Sequence, residues 1–432
     1  MRRNKVDIIT LGCSKNLVDS EHLMRQFKAN GYTVDHDPHK INGEIVVVNT
    51  CGFIGDAQEE SVNMILELGE AKKQGKIGKL FVMGCLSERF KSDLLKEIPE
   101  VDHYYGKFDW KNLLSDIGKS YYQDLAAERL LTTPKHYAYL KIAEGCDRTC
   151  AYCSIPLSTG RYQSRPMEEI EEETRHLVKH GVKELQLIAQ DLTYYGEDLY
   201  HRAALPELVE RLSDIKGVEW IRLHYGYPAH FPMDLLRVMR ERDNVCKYMD
   251  IALQHISDNM LKKMRRNITS AETYELLDRM RSEVPGIHIR TTLITGFPGE
   301  TEDDFEQLKV FVQKARFERM GAFAYSHEEG TYSWKHYKDD VPQDVKQSRL
   351  DELMQIQEGI SLDVNESKIG QRMKVMLDRE EEDFFVGRTQ YDSPEVDPEM
   401  LITKTKPLVS GTFYNVEVTG AQPFDLYGKV VE

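Results

Sequence analysis

A chain of 432 residues with 41% hydrophobic content can bury sizeable cores and has room for two or three domains. Its formal net charge of -15 argues against a broad electrostatic footprint on nucleic acid and suits a basic partner instead. No apolar run approaches the length of a membrane span, and Met1-Arg-Arg-Asn-Lys5 leads into a strand pattern without an apolar signal region. A cytoplasmic protein with reduced thiols is expected.

Residues 6–13 read as a buried strand ending at Cys13, and runs 45–51 and 79–85 repeat the pattern, ending at Cys51 and Cys85. Between them, 20–30 carries Leu23, Met24 and Phe27 on one face and stops at Gly31, while 56–73 starts at Asp56 and carries Val62, Ile65 and Leu66. Short apolar runs alternating with helices predict βαβ units and a flavodoxin-like parallel sheet over residues 1–125. Such sheets bind ligands beyond the carboxyl ends of their strands, which puts all three cysteines on one edge. Each has a glycine beside it (Gly12, Gly52, Gly84), letting backbone approach a bulky ligand. One such cysteine is explained as an inert buried thiol. Three at equivalent strand ends point to a three-thiolate cluster.

Residues 119–136 are polar, aperiodic and contain Pro134, so a linker is placed at 126–136. Apolar strands then recur at 137–143, 182–189, 218–224, 247–253, 287–294 and 320–325. Helices are predicted between them at 166–180, with Pro166 in its first turn, 204–215, 231–242, 257–283 and 300–316. Six βα units fall short of the eight that close a barrel. Residues 137–363, with a closing helix at 342–363, are therefore expected to form an open, partial (β/α)6 TIM-type barrel with its chemistry at the C-terminal face of the strands.

The first of these strands runs into Cys146-Asp-Arg-Thr-Cys150-Ala-Tyr-Cys153. A zinc site normally takes four ligands, and no fourth Cys or His lies nearby. A disulfide leaves one thiol over. Thiolates select iron-sulfur clusters, and three ligands on a four-iron cluster leave one iron open for a substrate or cofactor. The C-x3-C-x2-C spacing, with Tyr152 before the last cysteine, resembles the signature of the radical S-adenosylmethionine enzymes. That resemblance implies a 4Fe-4S cluster whose open iron chelates S-adenosylmethionine and whose electron cleaves it to a 5'-deoxyadenosyl radical.

Other strand ends supply candidate cofactor contacts. Gln190 and Asp191 suit the sugar or amino group, with helix capping by Asp191 as the alternative. Gly296-Phe-Pro-Gly299-Glu300 permits close backbone approach. Arg265 and Arg266 are candidates for the cofactor carboxylate, with a solvated helix end as the alternative. His224, Gln254 and His255 also fall at strand ends, where a structural histidine is the simpler reading. Cys246 reads as an ordinary buried thiol.

From about 367 the pattern changes to short strands at 373–378, 384–389, 414–418 and 426–431, which predict a small antiparallel OB-like barrel over 367–432. Barrels that hold nucleic acid present a basic groove. Residues 368–432 carry 8 Lys and Arg against 12 Asp and Glu, so direct nucleic-acid binding is not expected.

Taken whole, the chain resembles the methylthiotransferases, which join a domain bearing three cluster cysteines, a radical S-adenosylmethionine partial barrel and a C-terminal barrel called TRAM. Cys13, Cys51, Cys85, Cys146, Cys150 and Cys153 match the six expected cysteines. Leu11-Gly-Cys-Ser-Lys-Asn16, Val18-Asp-Ser-Glu21, Asn49-Thr-Cys-Gly-Phe-Ile54 and Glu60-Ser61 are similar to the branch that modifies an aspartate of small-subunit ribosomal protein twelve. That branch usually has proline where this chain has Ser14. The alternative, the transfer RNA branch, typically shows Cys-Gln-Met-Asn where this chain has Cys13-Ser-Lys-Asn16. The resemblance implies two 4Fe-4S clusters, with S-adenosylmethionine serving as both radical source and methyl donor. It further implies hydrogen abstraction from the aspartate β-carbon, a sulfur presented by the Cys13/Cys51/Cys85 cluster, an electron donor such as flavodoxin and an external sulfur donor. A basic ribosomal protein would complement an acidic TRAM barrel.

Overall fold

A computed structural model describes residues 1–107 and 109–431, so that Phe108 and Glu432, which fall within expected domain spans, lie outside it. The first sheet is wholly parallel, in the order β2-β1-β3-β4-β5. Its strands are β1 (Arg2–Thr10), β2 (Thr33–His36), β3 (Gly43–Thr50), β4 (Lys79–Gly84) and β5 (His103–Tyr104). The helices are α1 (Ser14–Ala29), α2 (Gly55–Lys73), α3 (Cys85–Glu97) and α4 (Asn112–Asp116). Ile45, Val46, Val47 and Val48 are buried in succession because apolar clusters cover both faces of the sheet, as parallel strands require. Strand order reverses between β1 and β3, and the crevice beyond their carboxyl ends is the ligand position of this topology. Helix α1 starts at Ser14, earlier than the hydrophobic period indicates, because its first two turns bury Lys15, Asn16, Asp19 and Ser20 with Val18 as the apolar side chain among them.

The segment expected to be a linker is fastened down. Arg129 is fully buried between Glu21 of α1, at 3.3 Å, and Glu173, at 3.1 Å, and donates to the Tyr139 carbonyl. The backbone N–H and hydroxyl of Thr132 both donate to Glu21. A buried guanidinium between two carboxylates holds the first sheet against the second.

The second sheet has six parallel strands in the order β13-β12-β11-β10-β9-β6, open between β13 and β6. They are β6 (Tyr137–Lys141), β9 (Glu184–Ile188), β10 (Trp220–Gly226), β11 (Val245–Gln254), β12 (His288–Thr295) and β13 (Arg319–Ala324), with the short pair β7 (Ala143–Glu144) and β8 (Gln163–Ser164) beside the first. Helices α5 (Ile155–Thr159), α6 (Met167–Lys179), α7 (Leu205–Ser213), α8 (Asp234–Glu241), α9 (Asp258–Lys263), α10 (Ser270–Glu283), α11 (Glu302–Ala315), α12 (Tyr332–His336) and α13 (Gln343–Glu366) complete it. The predicted helix 257–283 is two helices. Arg265 and Asn267 take positive φ of 58° and 53°, and a Thr269–Glu272 capping box starts α10.

The C-terminal strands β14 (Arg372–Glu380), β15 (Phe384–Thr389), β16 (Glu399–Thr403), β17 (Phe413–Ala421) and β18 (Asp425–Val430) form a closed barrel in the order β14-β15-β16-β18-β17. Strand β16 was not singled out in the sequence. This barrel packs under the second sheet, against the amino ends of its strands, and residues 389–397 plug the lumen. Arg222, fully buried, donates to the Thr389 and Gln390 carbonyls; Arg319 pairs with Asp392 at 2.6 Å; Tyr248 donates to Asp397 at 2.7 Å. Glu184 bridges Arg222 and Arg388, and Asp378 pairs with both Arg388 and His136. Asp378, Asp392 and Asp397 are thus spent on arginines, a histidine and a tyrosine in the interior, where Arg388 and Lys368 are buried too, while Glu380, Glu381, Glu382 and Asp383 stay exposed.

Burial alone would raise the Glu173 carboxyl, but the guanidiniums of Arg165 and Arg129 outweigh it and hold it at about 2, against an ordinary 4.5. A depressed carboxylate contributes stability that is complete above the unfolded value and lost as pH falls through the folded one. Wild-type stability should accordingly drop between about pH 4.5 and 2 by roughly 2–3 kcal/mol from this group alone. In urea titrations across that window, E173Q should show a correspondingly shallower slope.

Candidate functional site

Cys13 leaves β1 as the N-cap of α1, Cys51 leaves β3, and Cys85 opens α3. The glycines beside them work differently from expectation. A Cβ on Gly12 would lie 2.8 Å from Cys51 Cβ, and one on Gly52 would lie 2.7 Å from the Leu86 nitrogen. They let the three cysteine loops approach one another rather than a ligand. Asn16 ties the loops together: its Nδ2 donates to the Leu11 and Thr50 carbonyls, and Cys85 Sγ is 3.9 Å from its Oδ1. Lys107 donates to the same Oδ1 at 2.9 Å. Burial pushes Cys51 up and Cys85 up to about 12. At Cys13, which opens on a cavity, the upward effect of burial is overcome by the charges of Lys15 and Lys107 and by backbone donors, and the thiol is lowered.

The second thiol group, Cys146, Cys150 and Cys153, lies on the loop after β7, at the carboxyl face of the second sheet. All three are free and half-buried, and burial pushes Cys146 up to about 12. Arg266, which is buried, donates to Cys150 Sγ and to the Tyr152 hydroxyl, both at 3.1 Å, and lies 4.2 Å over the Tyr227 ring. Arg265 turns away and stacks on Tyr332 at 4.4 Å, so of the two arginines only Arg266 reaches the thiols. Tyr152 packs edge-on against Phe297, which is fully buried.

Asp191 has both oxygens engaged, one by the Thr193 backbone and hydroxyl and the other by Arg148 at 2.7 Å, which is the capping role. Gly296 faces Lys346 of α13: a Cβ there would lie 2.2 Å from Lys346 Cγ, and its N–H donates to Glu300. Its bareness serves packing. His255 is satisfied by Glu300 and the Ser257 N–H, and His224 by Gln186 at 2.6 Å. Cys246, the second residue of β11, is fully buried against Trp220, Tyr248 and Met376.

Three polar atoms at this face are buried without a partner: Gln190 Oε1, Gln254 Oε1 and Arg266 Nε. Two unused acceptors and one unused donor beside three thiols suit a ligand carrying amino and carboxylate groups. Among the described residues no three His, Cys, Asp or Glu side chains are gathered as a single metal ion requires. A cluster, whose irons each take one thiolate, fits the donor set.

The two thiol groups face each other across one seam. Ser154, next to Cys153, donates at 2.7 Å to the carbonyl of Phe53, two residues after Cys51. Asp19 of α1 pairs with Lys107 at 2.7 Å and with Lys141 of β6, and Lys141 pairs with Glu144 at 2.8 Å. A cavity of about 290 Å³ opens beside Cys13, walled by Tyr139, Ile188, His224 and Tyr225 and floored by Glu395 of the C-terminal plug. Sequence reasoning quoted Asn16 only within a motif and missed Lys107, Lys141 and Glu144, since isolated charged residues carry no periodic signal.

A partial barrel with three thiols on its C-terminal face defines the radical S-adenosylmethionine class, and residues 140–312 match the Radical SAM superfamily. Residues 5–106 match "Uncharacterized protein family UPF0004" and residues 369–431 the TRAM domain. The chain is 77% identical over 431 residues to a ribosomal protein uS12 methylthiotransferase RimO of Parabacteroides distasonis, covering 100% of both chains. It is 70% identical over 434 residues to one of Porphyromonas gingivalis, again covering 100% of each. A third relative, from Flavobacterium johnsoniae, is 55% identical over 99% of this chain and 98% of its own. The chain belongs to the RimO family of ribosomal protein uS12 methylthiotransferases. Among solved structures, the radical S-adenosylmethionine methyltransferase TsrM of Kitasatospora setae aligns with a TM-score of 0.54 at 14% identity, over 75% of each chain. The cobalamin-dependent enzyme OxsB aligns at 0.52 and 12%, over 83% of this chain and 62% of its own. These two share the fold. Membership of the radical class brings a four-iron cluster and S-adenosylmethionine.

Arg266 is the residue on which the second thiol group leans most. R266M should leave the Tyr152 hydroxyl and Cys150 without their buried donor, costing about 1–3 kcal/mol. Iron extraction by a chelator should be markedly faster than in wild type, with R266K intermediate.

Proposed function

We propose that this chain transfers a methylthio group to the β-carbon of an aspartate in small-subunit ribosomal protein uS12. The observation that carries this reading is the pair of three-thiol groups facing each other across one seam, each at the carboxyl edge of its own parallel sheet. In this reading residues 1–125, 137–363 and 367–432 act as three units joined by 126–136. Cys146, Cys150 and Cys153 hold one four-iron cluster, and Cys13, Cys51 and Cys85 hold a second. The bound clusters and S-adenosylmethionine supply the one-electron chemistry, the sulfur and the methyl group needed to open an inert C–H bond.

The chain's own residues bind, orient and exclude. Gln190 and Gln254 offer acceptors to the cofactor's amino group, and Arg266 offers its Nε–H to the carboxylate. Tyr152 and Phe297, backed by Met260 and Met264, close the thiol loop against water. The cavity beside Cys13 receives the target side chain, and the gap between β6 and β13 admits the loop that carries it. No side chain serves as general acid or base, in keeping with His255 having both ring nitrogens engaged and His224 being held through Nε2 by Gln186. Electrons come from an external carrier such as flavodoxin, and sulfur from an external donor. A ribosomal substrate places the work in the cytoplasm, and no helix among the described residues is long and apolar enough to cross a membrane.

The test is mass spectrometry after anaerobic reaction of the reconstituted, reduced protein with S-adenosylmethionine, sulfide, uS12 and unmodified transfer RNA in competition. A methylthio gain on an aspartate of uS12 is expected, whereas modified adenosine with uS12 untouched would overturn the substrate. Replacing Cys13, Cys51 and Cys85 together by alanine should halve the iron content and abolish transfer while cofactor cleavage persists.

A further inference from the structure

We propose that Lys107 is a positioning residue whose fixed positive charge raises the reduction potential of the cluster at Cys13, Cys51 and Cys85. The inference rests on the reading of those thiols as cluster ligands. Lys107 lies just after β5, where the first sheet meets the second, and its side chain is 2% exposed. Its ammonium is enclosed by Asn16 Oδ1 at 2.9 Å, Asp19 Oδ2 at 2.7 Å and Glu144 Oε2 at 3.7 Å. That same Asn16 oxygen is 3.9 Å from Cys85 Sγ, so a single atom stands between the ammonium and a thiol sulfur.

A lysine enclosed to this degree loses its hydration and its rotamer freedom, a cost that burial of a partner alone does not justify. The mechanical work of joining α1 to the barrel is already done by Lys141, which holds the other oxygen of Asp19. What Lys107 adds is charge. Lys107 and Lys141 are balanced by Asp19 and Glu144, and Lys15, buried with its ammonium 3.6 Å over the Tyr225 ring, leaves the group one positive charge in excess beside the thiols. Lys107 itself is shielded from water, and a charge held a few ångströms away in such surroundings weighs directly on the energy of an added electron. The same carboxylates reach the second site, since Gln190 donates to Glu144, two residues before Cys146. Lys107 thus belongs to a polar chain that runs from Cys85 through Asn16 and Glu144 to Gln190, at the strand end beside the second thiol group.

The test uses the full chain carrying C146A, C150A and C153A, which leaves the N-terminal thiols as the only set. Iron and acid-labile sulfide are measured first: their absence would sink the second-cluster reading itself, before Lys107 is in question. With the cluster present, EPR-monitored redox titration is run on this parent and on K107M, K107R and D19N within it. In K107M the ratio of reduced to oxidised cluster at the parent's midpoint should fall about tenfold, ~59 mV for a one-electron couple. K107R should stay near the parent, and D19N, which removes a negative charge, should move the opposite way. A K107M midpoint equal to the parent's, equal displacement of K107M and K107R, or D19N moving with K107M would each overturn the proposal. Should K107M lose its iron, K107Q takes its place with the same fall expected and an unchanged midpoint overturning the proposal, while loss of iron from K107R as well overturns it.

Discussion

Asp19 is the constraint on which the rest of the structure depends. Its carboxylate is buried early in α1 and shared by Lys107 of the first sheet and Lys141 at the end of the first barrel strand. Burial pushes it up, but the two ammonium groups prevail and hold it at about 2. Removing one partner from such a group leaves an uncompensated buried charge, worth about 3–5 kcal/mol. The two sheets are therefore fixed in register at this point, with Arg129 between Glu21 and Glu173 as a second clamp. Both sheets present their carboxyl edges, where α/β folds assemble ligands, to the same seam.

The parallel sheets were legible because buried strands are written as continuous apolar runs, and Cys13, Cys51 and Cys85 stand out by ending three of them. The Cys146 loop was legible from spacing alone. Partners that position these thiols were not, because Asn16 and Lys107 act through contacts made across distant segments, and Arg266 was read only as a candidate for the cofactor carboxylate. Arg265 and Arg266 are neighbours in sequence, yet the positive φ at Arg265 sends their side chains to opposite environments. The break after α9 had a readable sign, Thr269 followed three residues later by Glu272, that the apolar pattern of 257–283 overrode. Gly12 and Gly52 were rightly seen as points of close approach, but the approaching party is another cysteine loop.

Charge counting carries less than motif reading for a different reason. The acidic excess of residues 368–432 suggested a face for a basic partner, and Glu380, Glu381, Glu382 and Asp383 are exposed, but composition does not record which carboxylates face water. Asp378, Asp392 and Asp397 point into the protein, where they meet Arg388, Arg319 and Arg290. Family membership rests on near-complete alignment to relatives at 55–77% identity, whereas the structural neighbours, at 12–14%, carry only the architecture. The facing of the two thiol groups is independent of both, since it follows from strand order and a few buried contacts.

The plug formed by residues 389–397 has a consequence for biosynthesis. Strand β13 ends at Ala324, so every strand of the central barrel has been made well before the groups that seal its lumen. Until then Arg222, Arg290 and Arg319 project into a space still open to water. Arrival of residues 389–397, rather than completion of the barrel's own sheet, is the event that dries the interior. A nascent or truncated product ending at α13 would keep all seven cysteines and yet lack Asp392 and Asp397, the buried partners of Arg319 and Tyr248.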